Sequence, residues 1–122
     1  MPHFVLEYSD NIREKAGHEA LFKQLHEILV TKGPVPLKAI KSRAIMHRDF
    51  RVGDGNKSNA FVHLTLSLMK GRDLALRKAM GEALFACVKD AFAQSSKELN
   101  CSFSLEIREM ERETYFMFEG GK

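Results

Sequence analysis

Two strand–helix–strand passages follow one another within 122 residues, and that doubling limits the possible folds more than any other feature of the chain. A helix between two strands acts as a crossover, so each pair of strands is expected to lie parallel with a right-handed connection. In the first passage, residues 3–8 put Phe4, Leu6 and Tyr8 on one face, the period of two expected of a strand. Ser9-Asp10-Asn11 breaks it. From about His18, the spacing of Leu21, Leu25, Ile28 and Leu29 predicts a helix, and Gly33-Pro34 supplies its stop. Residues 39–50 then read as a long strand that carries Lys41, Arg43 and Arg48.

Gly53-Asp54-Gly55-Asn56 is a dense turn signal that opens the second passage. After it Val62, Leu64, Leu66 and Leu68 alternate with Phe61, His63, Thr65 and Ser67. Gly71-Arg72 ends that strand, and Asp73 is placed to cap a helix. Leu76, Met80, Ala83, Leu84, Cys87, Val88 and Ala91 form the apolar stripe of this helix. A last strand is expected over 101–110, where Cys101, Phe103, Leu105 and Ile107 alternate with Ser102, Ser104, Glu106 and Arg108.

The expected architecture is α+β. Tandem β-α-β units, pseudo-repeats at about 2–50 and 60–110, build a four-stranded mixed sheet with two helices on one face, all within one domain of residues 1–122. Val5 and Phe61 point away from those helices with nothing in the chain left to cover them. An uncovered apolar face predicts a subunit interface. The aromatic residues Tyr115, Phe116 and Phe118 of the polar tail suggest a terminal segment docked on a partner subunit.

Composition narrows the function classes. Apolar residues make up 44% and charged residues 29%, close to the averages of folded domains, which argues against disorder. No apolar run approaches the roughly 20 residues of a membrane-spanning helix, and no secretory signal opens the chain. Cys87 and Cys101 lie in apolar-periodic segments and read as buried free thiols of a reducing compartment. A cytoplasmic protein is expected. The net charge of +3 comes from 19 basic residues dispersed among 16 acidic ones, without the basic face interleaved with aromatics that nucleic-acid binding needs. A mild positive excess suits a small anionic ligand equally well. The five histidines, His63 among them, show no metal-ligand spacing. Neither a nucleophile elbow nor a phosphate loop occurs, so hydrolase and nucleotide chemistry have no support and no cofactor is expected.

The opening Met1-Pro2-His3-Phe4-Val5-Leu6-Glu7 with Ser9-Asp10-Asn11-Ile12-Arg13-Glu14 closely resembles the start of 5-carboxymethyl-2-hydroxymuconate isomerases, members of the tautomerase superfamily. Ile40-Lys41-Ser42-Arg43, Ala60-Phe61-Val62-His63-Leu64-Thr65-Leu66, Gly71-Arg72 and Ser102-Phe103 extend the resemblance in the same order over nearly the whole chain. The second half also looks like 4-oxalocrotonate tautomerase. The resemblance implies a homotrimer, with a site near the mature N-terminus. It also implies a cofactor-independent keto–enol isomerase of aromatic catabolism, acting on a small anionic dienol carboxylate.

By that resemblance Pro2 is the acid–base group. Removal of Met1 would free a secondary amine, and burial beside cations would hold it neutral enough to take and return a proton. Arg72 is the candidate carboxylate fork. Arg43 and Lys41, alternating on one face of the second strand, are further binding candidates. Lys41 departs from the family's Ile-Arg-Ser-Arg, since lysine keeps the charge and loses the fork. Phe103 either packs in the core or forms an apolar wall that desolvates the amine. Two other readings stay open: a superfamily enzyme with a different substrate, and a non-catalytic trimeric module that binds a small anion or a partner, which the Lys41 departure would suit.

Overall fold

The structure is a computed structural model that describes residues 1–121. Its strands are β1 (His3–Ser9), β2 (Lys41–His47), β3 (Asn59–Met69) and β4 (Asn100–Met110). Its helices are α1 (Glu19–Lys32), α2 (Leu74–Ala91) and the short α3 (Ala93–Glu98). The sheet order is β2-β1-β3-β4. β1 and β2 pair in parallel, as do β3 and β4, while β1 and β3 run antiparallel at the centre. The doubled crossover reading holds: two parallel β-α-β units meet along their first strands.

Alternation fixes which face each residue occupies. Phe4, Leu6, Val62, Leu64, Leu66 and Leu68 turn toward the helices and are fully buried or nearly so. Leu21, Leu25 and Leu29, at four-residue intervals on α1, close over them with Met80, Leu84 and Val88 of α2. Each such side chain contributes roughly 1.5–3 kcal/mol through its apolar burial. Gly33 ends α1 with its N–H donating to the Leu29 carbonyl at 2.8 Å. A Cβ there would lie 2.4 Å from that same oxygen, so the close approach requires glycine. Asp73 caps α2 as expected, accepting from the Leu76 N–H at 2.8 Å.

Three expectations need correction. The second strand spans Lys41–His47, with Ala39 in a preceding 3-10 turn and Phe50 outside the strand altogether. Phe50 instead packs edge-on against Phe61, with ring centroids 6.0 Å apart, so its apolar character reflects that contact and not strand membership. A further helix, α3, joins α2 to β4. It is held by buried Ser95, whose N–H and hydroxyl donate to the Glu14 carboxylate and whose Oγ accepts from the Arg13 N–H. Finally, Cys87 and Cys101 are free but half-buried. Burial pushes the Cys101 thiol up to about 11.

The sheet face away from the helices is more polar than the sequence suggested. Val5 and Phe61 lie there, half-buried, together with the pairs His47–Glu7 at 2.9 Å and His63–Ser104 at 2.6 Å. Phe116 and Phe118 of the tail are 89% and 90% exposed, whereas Tyr115 folds back onto His3 of its own chain. Among the described residues, no helix is long and apolar enough to cross a membrane.

Candidate active site

Pro2 precedes the first residue of β1 and is buried. Lacking an N–H, it joins the sheet through its carbonyl, which accepts from the Lys41 N–H at 3.2 Å and so sets the start of β2 beside it. Pro2 lines a cavity of 210 Å³ together with Met1, Val35, Leu68, Arg72 and Arg112. Small-molecule pockets usually start at about 300 Å³, so one chain supplies only part of an enclosing wall.

The electrostatics of this cavity are one-sided. The α-amine of Met1 is held below its ordinary value, first by burial and then by the nearby charges of Arg72, Lys41 and Arg112. Each effect penalises an ammonium. Arg72 is fixed by the turn between β3 and α2, where Gly71 takes a φ of +134° that a side chain would strain. The Arg72 Nε donates to the Gly33 carbonyl at 3.3 Å and its Nη1 to the Met69 carbonyl at 3.5 Å. Its remaining N–H groups are uncommitted among the described residues.

Lys41, Arg43 and His3 share the face of the sheet away from the helices, because His3 pairs with Lys41 and Val5 with Arg43 in the parallel register. Arg43 reaches back to His3, donating from Nη1 to Nδ1 at 3.1 Å. Burial lowers the His3 imidazole below its usual value, and the charges of Arg43, Lys41 and the amino terminus lower it further.

The structure therefore gathers Pro2, Arg72 and Lys41 at one end of the sheet, with Arg43 one step further along β2. Phe103 is not with them in the same chain. It turns toward the helices opposite Val62, at the far end of β3 from Leu68, roughly 20 Å away at the usual strand rise. Arg112, on the 3-10 turn Arg112–Thr114 after β4, was not singled out by the sequence. It lies between two glutamates in a charged tail, and only the folded chain shows which way it points.

A larger groove, of 420 Å³, lies between α2 and β4, lined by Leu74, Arg77, Phe85, Leu105 and Ile107 among others. It holds no convergent acid–base set, and Arg77 is paired with Glu109. Among the described residues, no group of three or more His, Cys, Asp or Glu is placed to hold a metal ion.

Comparison with known proteins adds to this geometry. A family model described as 5-carboxymethyl-2-hydroxymuconate isomerase matches residues 2–118. The 5-carboxymethyl-2-hydroxymuconate Delta-isomerase of Escherichia coli is 39% identical over 110 residues, which cover 90% of this chain and 87% of that protein. The crystal structure of a 5-carboxymethyl-2-hydroxymuconate isomerase from Deinococcus radiodurans R1 superposes with a TM-score of 0.89 at 31% identity, covering 98% of this chain and 90% of its own. A structure described as a fused 4-OT wild-type symmetric trimer has the same fold, with a TM-score of 0.76 at 18% identity over 97% of this chain and 93% of that one.

Proposed function

This chain belongs to the 5-carboxymethyl-2-hydroxymuconate isomerase family, and from that premise we propose that it isomerises a 2-hydroxymuconate-type dienol carboxylate with the amine of Pro2 as its acid–base group. With Met1 removed, the prolyl nitrogen takes the enol proton, the electron pair moves through the conjugated system, and the proton returns to carbon. One O–H bond breaks and one C–H bond forms, with no change in oxidation state. A single group does both transfers.

The observation that carries this reading is the unbalanced positive charge around the chain's amino terminus. The Met1 α-amine, one residue before the prolyl nitrogen, is held below its ordinary value by burial and by Arg72, Lys41 and Arg112, and the same surroundings would favour a neutral prolyl base. Arg72 offers a guanidinium fork for a substrate carboxylate. Lys41 or Arg43 offers charge for a second contact and for the enolate that develops in the transition state. We further propose a homotrimer built on the sheet face away from the helices. The small volume of the Pro2 cavity and the exposed Phe116 and Phe118 favour a site that a partner subunit completes, and Phe103, turned toward its own helices, is proposed to pack in the core and not to line the site.

Intact-mass measurement of the native protein, combined with ketonisation assays of wild type and Pro2→Ala, tests the reading. Mature protein starting at Pro2 is expected, with at least a tenfold loss in the variant, about 1.4 kcal/mol of barrier. A retained Met1, or an unimpaired variant, would reject it.

A further inference from the structure

Arg112 and Arg72 reach the same place from opposite ends of the second β-α-β unit. Arg112 donates from Nη2 to the Lys70 carbonyl at 3.1 Å, while Arg72 donates to the carbonyl of the preceding residue, Met69. Two guanidinium groups thus hang from consecutive carbonyls on the turn leaving β3, and both line the cavity beside Pro2. Among the described residues, neither has a carboxylate within ion-pairing distance. Glu111 is the immediate neighbour of Arg112, yet it pairs with Lys70 instead.

The position of Arg112 is fixed on both sides. The Glu111–Lys70 pair ties down the chain just before it, and the Tyr115 hydroxyl, 2.8 Å from His3 Nε2, ties it down just after. Like charges gathered without counter-ions repel one another, and an anionic ligand relieves that repulsion. Arg72 already spends Nε on the Gly33 carbonyl and an Nη1 N–H on the Met69 carbonyl, which leaves one edge for a carboxylate. With Lys41 or Arg43 proposed for a second contact, another uncompensated guanidinium at the same cavity offers a place for a third carboxylate.

We propose that Arg112 is a binding residue that forks onto a substrate carboxylate remote from the one held by Arg72, the third carboxylate of a carboxymethylated dienol. The proposal rests on the isomerase reading above and assigns a residue to one of that substrate's carboxylates. Arg112 lines the same cavity as Pro2, and its charge also lowers the Met1 α-amine one residue away.

Initial rates with 5-carboxymethyl-2-hydroxymuconate and with 2-hydroxymuconate, which lacks the third carboxylate, test it in wild type, Arg112→Gln and Arg112→Lys. Rates are taken on the pH plateau above the acid limb, where the amine is neutral with or without this charge. In Arg112→Gln the KM for the tricarboxylate is then expected to rise about tenfold, ~1.4 kcal/mol, with kcat within about twofold and a smaller change for the dicarboxylate. Arg112→Lys should recover part of the loss, and it supplies the same comparison if Arg112→Gln does not fold. Equal losses on both substrates, or none, would overturn the proposal. If the wild type isomerises neither compound, the isomerase reading fails, and titration calorimetry with tricarballylate and glutarate decides separately. Tricarballylate binding that weakens about tenfold in Arg112→Gln, with glutarate unchanged, upholds Arg112 as a carboxylate ligand. Unchanged binding, or none to the wild type, rejects it.

Discussion

Arg43 fixes the tautomer of His3. The guanidinium has no acceptor, so its 3.1 Å contact with Nδ1 requires that nitrogen to be unprotonated, and the ring proton sits on Nε2, which donates to the Tyr115 hydroxyl at 2.8 Å. A binding candidate on β2 is thereby linked through His3 to the C-terminal tail. Protonating His3 would add a donor at Nδ1 facing a donor on Arg43 and break the link.

Stability should fall as pH drops from about 7.5 toward 5.5. His3, His18 and His26 all sit below the ordinary histidine value, each chiefly because of burial. Between the lowered folded value and the unfolded value of about 6.5, the unfolded chain binds more protons, so stability rises with pH there and is lost on acidification. Urea midpoints at a fixed protein concentration read this directly, and a flat or inverted profile over that window would contradict it. His3→Gln should shrink the dependence.

For the reaction, kcat/KM should climb with pH along an acid limb whose midpoint lies below the ordinary value for the amine. In the proposed mechanism the neutral amine is the active form, and cations around it would disfavour the ammonium. Arg72→Gln removes one of them, so the limb in the residual activity should move to higher pH. A pH–rate profile of the variant that keeps the wild-type midpoint would disconnect Arg72 from the amine.

Lys41→Arg restores the fork that the family pattern carries at this position. One added hydrogen bond to a carboxylate is worth on the order of 1 kcal/mol, so KM should fall roughly fivefold with kcat little altered. Steady-state kinetics check this. An increase in KM would indicate that the compact ammonium is matched to the substrate.

Asp73→Ala removes the cap of α2 and should cost about 1 kcal/mol, read as a lower denaturation midpoint. Asp73 adjoins Arg72, so a fraying first turn would also loosen the guanidinium. A loss of activity larger than the loss of stability is expected at temperatures well below melting.

Most of the scaffold could be read from the residues because its signals are local. The alternation of Val62 to Leu68, the four-residue spacing of Leu21, Leu25 and Leu29, and the cap at Asp73 each lie within one element. Pro2, Arg72 and Lys41 were legible through the family pattern, and the parallel register brings Lys41 beside Pro2. What could not be read depends on contacts between distant segments. Phe50 resembled a strand residue because its partner Phe61 is remote in sequence. The helix at Ala93–Glu98 has little intrinsic pattern and depends on Ser95 meeting Glu14. Arg112 sits in a run of charges with no periodicity, and its direction is set by the Lys70 carbonyl across the sheet.

The antiparallel meeting of β1 and β3 leaves the two units facing opposite ways, so the start of β3 lies at the end of the sheet remote from Pro2. There the corresponding nitrogen, that of Ser58, is an ordinary amide donating to the Asn56 side-chain Oδ1 at 2.8 Å. A polypeptide has a single amino end, and an internal peptide nitrogen carries no basic lone pair. However alike the two units are in outline, only one of them can present a proton acceptor of this kind, so the proposed mechanism allows one reactive centre per chain at most in any assembly it forms.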